Sequence, residues 1–184
     1  MSKKLNKKEI EKFSRQIILK NVGALGQKKI QKAKVLIIGM GGLGCPAAEF
    51  LTRSGIGTLG IVDYDKVSLS NIHRQTLYTE KDINKSKVKI AKKKLNEINP
   101  KTKINIFNYK LNKIKFKKII KNYQYIIDGT DNFESKFLIN DISLGYKKFL
   151  VVGAISKFDG HIFSFDFKNK NNPSLRDFYQ EEVV

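Results

Sequence analysis

Residues 34–65, KVLIIGMGGLGCPAAEFLTRSGIGTLGIVDYD, decide how the rest of the chain is read. Val35 to Ile38 is a short apolar run rich in β-branched residues, too brief for a helix and suited to a buried strand. Gly39, Gly41 and Gly44 follow in G-x-G-x-x-G spacing, with a further glycine at Gly42. Leu43, Ala47, Phe50, Leu51 and Ser54 then recur as a helical pattern that closes at Gly55. Pro46 is acceptable in its first turn, where no N–H is needed. Thr58 to Val62 reads as a second strand ending on Asp63, nineteen residues beyond Gly44 (63 − 44). Strand, glycine turn, helix, strand and acidic residue together predict a mononucleotide-binding βαβ unit. Its glycines let backbone approach phosphate, its helix start offers free N–H groups, and Asp63 can accept from both ribose hydroxyls. The unit by itself is compatible with NAD, FAD, SAM or ATP.

Outward from this unit the alternation continues. On the amino-terminal side, Asn6 to Glu9 has the form of a capping box opening a short helix through Phe13. A further helical pattern runs from Leu25 to Lys32. Residues 1–33 are therefore expected to form a helical arm, and 34–184 the nucleotide-binding domain. On the carboxyl-terminal side, residues 64–78 read as an ordered polar loop, and a helix is expected from about Asn84 to Asn99. Strands are expected at Lys103–Tyr109, Tyr123–Ile127, Phe149–Ala154 and Gly160–Phe167, with helices at Asn112–Lys121 and from Asn132 to about Gly145. The fold class that follows is α/β, a Rossmann-like doubly wound and mainly parallel sheet with helices on both faces. The polar stretch after Phe167 gives way to Pro173–Tyr179 and ends on Glu181-Glu182-Val-Val, an abrupt stop.

Composition bounds the function. The chain has 184 residues, 41% of them hydrophobic, enough for one domain with a substantial core. No apolar run reaches membrane-spanning length, and the amino-terminal MSKKLNKKEIEK lacks a signal peptide's apolar core. Cys45 is the lone cysteine, which excludes an internal disulfide framework and fits a reducing compartment. The cytoplasm is the expected location. The formal net charge is +19, but the arginines are confined to Arg15, Arg53, Arg74 and Arg176 and the lysines are scattered. That pattern does not predict a nucleic-acid stripe; a basic surface suits an acidic protein partner equally well.

In doubly wound sheets the ligand lies beyond the carboxyl ends of the strands. The glycine turn, Asp63 with its following loop, and Asp131-Asn132 all leave strands at that end. Arg74 and Lys87 lie in and just after the loop. Carboxylate, cations and phosphate cradle suggest a triphosphate with Mg²⁺ rather than a dinucleotide. Plainer readings stand beside these: Lys87 as a solvated surface lysine, Asp63 and Asp131 as caps, Asp65 and Asp128 as structural groups, and Cys45 as packing. His73 and His161 have no ligand partners in sequence.

At these residues the chain resembles the ThiF/MoeB/HesA family, bacterial relatives of ubiquitin-activating enzymes. The resemblance rests on Arg15-Gln-Ile-Ile-Leu, Gly39-x-Gly-Gly-Leu-Gly44, Asp63-Tyr-Asp-x-Val-Ser-Leu-Ser-Asn71, Arg74-Gln75, Lys87-Val88 and Thr130-Asp131-Asn132, in order. It implies an ATP-dependent adenylyltransferase acting on the C-terminal Gly-Gly carboxylate of a ubiquitin-like sulfur carrier and releasing pyrophosphate. It implies nucleotide binding by Gly39, Gly41, Gly42, Gly44, Asp63, Ser70, Asn71, Arg74, Lys87, Asp131 and Asn132. Asn71, Arg74 and Lys87 would address phosphates and Asp131 would hold Mg²⁺. Arg15 would serve the partner subunit's site in a homodimer. Alternatives are a tRNA threonylcarbamoyladenosine dehydratase-like enzyme, a truncated nucleotide-binding pseudo-enzyme, or an NAD-dependent oxidoreductase. Many members bind zinc through Cys-x-x-Cys pairs; here Pro173-Ser174-Leu-Arg-Asp177 stands where the first is expected, so zinc is not expected. The later cysteine some members use for sulfur transfer is missing, and the family's domain is expected to continue past Val184.

Overall fold

The computed structural model describes residues 4–179; the terminal Glu181-Glu182-Val-Val lies outside them. The expected βαβ unit forms as β1 (Lys34–Ile38), α4 (Gly44–Arg53) and β2 (Thr58–Val62). Ahead of it stand α1 (Lys7–Lys12), α2 (Ser14–Ile17) and α3 (Gly23–Lys32). Beyond it come α5 (Lys87–Ile98), β3 (Lys103–Phe107), α6 (Lys113–Ile119), β4 (Tyr125–Asp128), α7 (Phe133–Gly145), β5 (Phe149–Ser156) and β6 (Asp159–Asp166). The sheet has six strands in the order β3-β2-β1-β4-β5-β6. All pairings are parallel except β5 with β6. The order reverses between β1 and β4, the switch point at which such sheets open a crevice.

Alternation along β1 explains the two layers. Val35 and Ile37 enter one core with Cys45, Ala48, Val88, Ala91 and Leu95 of α4 and α5. Leu36 and Ile38 enter the other with Phe116, Ile119, Phe137, Ile139 and Ile142 of α6 and α7. A strand buried on both faces is continuously apolar, as Val35–Ile38 is. Gly60 in β2 leaves room for Tyr123, because a Cβ there would lie 2.5 Å from the phenol oxygen.

The arm docks on the amino-terminal end of the sheet. Phe13 is buried over Gly55, and buried Gln27 donates to the Ser54 carbonyl (2.9 Å) while accepting from Gln16 (3.0 Å). The Asn6–Glu9 capping box forms as expected. Several boundaries differ from the sequence reading. Helix α5 begins at Lys87 rather than near Asn84, because Asn84 adopts φ +67° and Ser86 pairs with Lys66 as an isolated bridge. Phe50, expected on the inward face of α4, is exposed, and Cys45, Ala48 and Thr52 face inward instead. Strand β3 ends at Phe107, before Tyr109. Strand β5 runs past Ala154 to Ser156, β6 is shifted by one residue toward the shared turn and ends at Asp166, and Lys157 takes φ +53° in that turn.

The segment after β6 folds back onto α7. Leu175 is fully buried and its N–H donates to Asn140 Oδ1 (2.9 Å). Arg176 lies over the Phe137 ring and donates to both Asp141 oxygens (2.8 and 2.7 Å). The Arg176 hydrogen bonds hold the Asp141 carboxyl below its ordinary value of 3.8, against partial burial. A lowered folded-state value contributes stability above the ordinary carboxylate range and loses it as pH falls through that lowered value. Asp141→Asn is therefore expected to lower the thermal unfolding midpoint at pH 7 by the equivalent of about 1 kcal/mol or less, since the pair is solvent-screened. The difference from wild type should shrink when the same melts are run near pH 3.

Candidate functional site

The glycines divide by what surrounds them. Gly39 has φ +88°, and a Cβ on it would lie 2.8 Å from the Gly129 carbonyl oxygen at the end of β4. A Cβ on Gly44 would fall 1.9 Å from the Gly39 carbonyl oxygen. These two are glycine because backbone passes against backbone. Gly41 and Gly42 are different: a Cβ on either would meet nothing closer than 3.6 Å. The N–H groups of Gly41, Gly42 and Leu43 donate to no described residue. Bare backbone with free N–H groups ahead of a helix start is a phosphate-binding geometry.

Asp63, 8% exposed at the end of β2, ties this turn to its own loop. Its Oδ2 accepts from the Met40 N–H (2.7 Å) and its Oδ1 from the Asp65 N–H (2.8 Å). Asp65 in turn pairs with Lys87 Nζ at 3.0 Å. Lys87 is 5% exposed at the first position of α5, so it is not the solvated lysine of the plainer reading. The Arg74 stem runs 3.6 Å from where a Gly42 Cβ would be. Its guanidinium donates to the Ser70 carbonyl (2.9 Å) beside His73 Nε2 (2.9 Å). Ser70 and Asn71 lie in a one-turn 3₁₀ helix, Leu69–Asn71, whose Asn71 carbonyl accepts from the Arg74 and Gln75 N–H groups.

Asp131 and Asn132 leave β4 next to the turn. Asn132 is the N-cap of α7, accepting from the Ser135 N–H (2.9 Å), and its amide reaches Asp131 Oδ1 at 3.3 Å. The Asp131 carboxylate is otherwise exposed. Thus Gly39, Gly41, Gly42, Gly44, Asp63, Ser70, Asn71, Arg74, Lys87, Asp131 and Asn132 all leave the carboxyl ends of β1, β2 and β4 or the loops and helix starts beyond them. Arg15 does not. It sits on α2 beside the carboxyl-terminal end of α4, at the opposite end of the sheet, with α2 tied to Ser54 through Gln16.

Sequence reasoning missed two groups. Asp128 was read as structural, without its partner: Lys136 Nζ lies 3.4 Å from Asp128 Oδ2 and donates to the Gly153 carbonyl at 2.7 Å. Burial raises the Asp128 carboxyl, opposed by the Lys136 ammonium and by hydrogen bonds from Thr130. The signal was present as polar residues Lys136, Asn140 and Ser143 at i, i+4 and i+7 on one face of α7. The other is Gln75, quoted only within the Arg74-Gln75 motif, which is buried beside Gly41. Cys45 is packing, as expected: burial pushes its thiol up to about 11, and its sulfur rests on the Met40 carbonyl. Ser174 and Asp177, standing where zinc-binding cysteines are expected, bond to each other as a capping box. Among the described residues no group of three or more His, Cys, Asp or Glu could hold a metal.

With this geometry in hand, the similarities are specific. The ThiF family model matches residues 13–183. The chain is 44% identical over 171 residues to a probable molybdopterin-synthase adenylyltransferase of Porphyra purpurea, covering 93% of this chain and 44% of that protein. It is 38% identical over 159 residues to a sulfur carrier protein adenylyltransferase of Thermus thermophilus, covering 86% of this chain and 59% of that one. The chain thus spans about half the length of these curated relatives. Among solved structures, selenomethionine PaaA superposes with a TM-score of 0.83 at 26% identity, covering 96% of this chain and 57% of that one. The tRNA threonylcarbamoyladenosine dehydratase TcdA of E. coli, in complex with ATP, superposes at 0.75 and 24% identity, a likeness of fold.

The two classes of glycine separate experimentally. Gly44→Ala should lower stability by about 3 kcal/mol, through overpacking of backbone against backbone. Gly41→Ala should melt within a few degrees of wild type. Thermal unfolding of both variants checks the distinction.

Proposed function

The chain belongs to the ThiF family, and from that premise we propose that it catalyses ATP-dependent adenylylation of the C-terminal Gly-Gly carboxylate of a ubiquitin-like sulfur carrier protein. The observation that carries the reading is the meeting of Arg74 with the bare Gly41–Gly42 backbone, between the Asp63–Asp65–Lys87 chain and the Asp131 turn. The names of the curated relatives support it further.

In this reading the triphosphate lies over Gly41 and Gly42 and the ribose hydroxyls reach Asp63, whose oxygens retain acceptor capacity beside their main-chain bonds. A carrier carboxylate oxygen attacks the α-phosphorus; the new bond is C–O–P, the α–β phosphoanhydride breaks, and pyrophosphate leaves with its electron pair. The carboxylate is its own nucleophile, so the protein supplies alignment and charge neutralisation. Arg74 and Lys87 offset charge on the phosphates, with Asn71 and Ser70 completing that wall and Asn132 holding the Asp131 turn. Lys87 is held ready by Asp65 and needs no desolvation when phosphate arrives. Asp131 is the residue whose chemistry fits Mg²⁺, which takes one or two carboxylates plus phosphate oxygens rather than a full protein cage. Bound there, Mg²⁺ would neutralise phosphate charge.

Arg15 lies at the far end of its own subunit, so its service to a site requires a second copy, and a homodimer is part of the proposal. So are the division into an arm (1–33) and a catalytic domain (34–184), and a cytoplasmic location; among the described residues no helix is long and apolar enough to cross a membrane. The absence of zinc is part of the proposal too, supported by Ser174 and Asp177 bonding to each other where the family's first cysteine pair is expected.

Carrier-dependent exchange of labelled pyrophosphate into ATP tests the reading. Arg74→Ala and Asp131→Ala should each reduce exchange about 100- to 1000-fold, the loss typical of one charge-stabilising donor. Wild-type exchange in both variants would refute it. Elemental analysis of the purified chain should find zinc far below one equivalent; a stoichiometric, chelator-resistant zinc would overturn that part.

A further inference from the structure

Asp128 and Lys136, 1% and 4% exposed, form the most deeply buried ion pair among the described residues. Two apolar side chains of similar volume commonly stabilise a core as well as such a pair or better, so its charges call for a reason beyond stability. Their bonds supply one. Lys136 Nζ reaches Asp128 Oδ2 at the end of β4 (3.4 Å) and donates to the Gly153 carbonyl in β5 (2.7 Å). The other Asp128 oxygen, Oδ1, accepts both the N–H (2.8 Å) and the hydroxyl (2.7 Å) of Thr130. Thr130 immediately precedes Asp131.

Every other residue of this turn is pinned. The Gly129 N–H donates to the Ile38 carbonyl (2.9 Å), and its own carbonyl oxygen leaves no room for a Cβ on Gly39. Thr130 is fixed by Asp128. Asn132 uses its Oδ1 to accept from the Ser135 N–H (2.9 Å) at the start of α7, the helix that carries Lys136 one turn on. Asp131 alone keeps a carboxylate oxygen free: Oδ1 accepts from the Asn132 amide at 3.3 Å, and Oδ2 accepts from no described residue. A carboxylate whose neighbours are held on both sides has little freedom left to lose when it takes up a cation, and contacts behind a ligand raise affinity in this way without touching the ion.

We propose that Asp128 and Lys136 are positioning residues: the buried pair fixes the 129–132 turn so that the Asp131 carboxylate is preset for a divalent cation carried on the triphosphate. The inference rests on the adenylyl-transfer reading and adds to it a pair that touches neither nucleotide nor cation. Lys136 bridges the ends of β4 and β5 and its charge is already met by Asp128, so it serves the turn and not the phosphates.

The test uses the full chain and titrates ATP calorimetrically in EDTA and in excess Mg²⁺, alongside thermal unfolding. The ratio of the two dissociation constants measures how well the protein serves the cation. Asp128→Leu combined with Lys136→Met replaces the pair by apolar side chains of similar length, and the unfolding midpoint should stay within a few degrees of wild type. The ratio should fall about tenfold, the loss expected when a contact behind a metal ligand is removed. ATP affinity in EDTA should change less than about twofold, since Arg74 and Lys87 are untouched. Thr130→Val keeps the ion pair, removes one of the two bonds to Asp128 and should lower the ratio by a smaller factor. In an Asp131→Asn background the double substitution should move the ratio less than about twofold, because the pair then has no carboxylate to position. An unchanged ratio, or a fall that persists in full in the Asp131→Asn background, would overturn the inference and leave the adenylyl-transfer reading standing. Should the double substitution not fold, Thr130→Val decides by the same ratios. A wild-type affinity that Mg²⁺ leaves unaltered would also overturn the inference, and a wild-type chain that binds no ATP would overturn both.

Discussion

The close approach of Gly44 to the Gly39 carbonyl is the contact from which the candidate site is built. A Cβ at 1.9 Å cannot be absorbed by side-chain adjustment, because the opposing atom is backbone. The same carbonyl residue, Gly39, is pressed against Gly129, so the starts of two turns and one helix meet backbone against backbone. Parallel strands alone would bring β1 and β4 side by side; this contact fixes how their ends meet. Because α4 must begin there, the N–H groups of Gly41, Gly42 and Leu43 are left without partners among the described residues. The Asp63 carboxylate then holds the turn from the β2 side through the Met40 N–H. A residue proposed to bind ribose is thus also a brace for the glycine turn, and each role favours a rigidly held carboxylate at that point.

Electrostatics follow from a shortage of acids. With 36 basic residues against 17 acidic ones, most lysines have no carboxylate to meet. The ion pairs that form are of two kinds. Glu49–Arg53 and Glu9–Lys101 lie on the surface and contribute little. Asp65–Lys87 and Asp128–Lys136 place ammonium groups of 6% and 5% side-chain exposure at the carboxyl ends of the strands. Sequestering these costs desolvation, and removing one partner alone would leave a buried charge uncompensated. Their value is geometric: each fixes a cation or turn where a ligand's negative charge would lie. The unpaired lysines elsewhere supply a general positive field that favours anionic ligands without selecting among them.

The fold was legible in sequence because its decisive signals are local. Strand–glycine–helix–strand is a contiguous pattern, and Asn6–Glu9 and Pro46 mark helix starts by rules that need no tertiary information. What escaped depends on contacts between distant segments. Asn84 looks like the first residue of a helix until Ser86 bridges to Lys66 and forces the chain through a left-handed turn. Phe50 satisfies the helical period, yet α4 buries its small residues so that backbone can approach the sheet. Lys87 could not be told from its many neighbours, since its burial depends on Asp65 from another strand end. Gln75 stood in the sequence as part of the Arg74-Gln75 motif, but its burial with an unpartnered Oε1 depends on contacts between distant segments.

Helix α7 shows how a polar stripe in a core joins remote parts. Lys136, in its first turn, reaches the end of β4 through Asp128 and the β5 strand through the Gly153 carbonyl. Asn140, one turn further, receives the N–H of buried Leu175, and Arg176 adjoining it grips Asp141. Apolar residues at these positions would have packed as well but would not have set the helix's rotation or its displacement along the sheet, which directional bonds at both ends do. The turn that presents Asp131 and the loop closed by Ser174 and Asp177 are therefore carried on one rigid element. In that loop a single carboxylate oxygen accepts both the N–H and the hydroxyl of Ser174. Closure there is by hydrogen bonding within the loop, and the docking of Leu175 and Arg176 supplies the attachment to α7 that a short turn could not provide by itself.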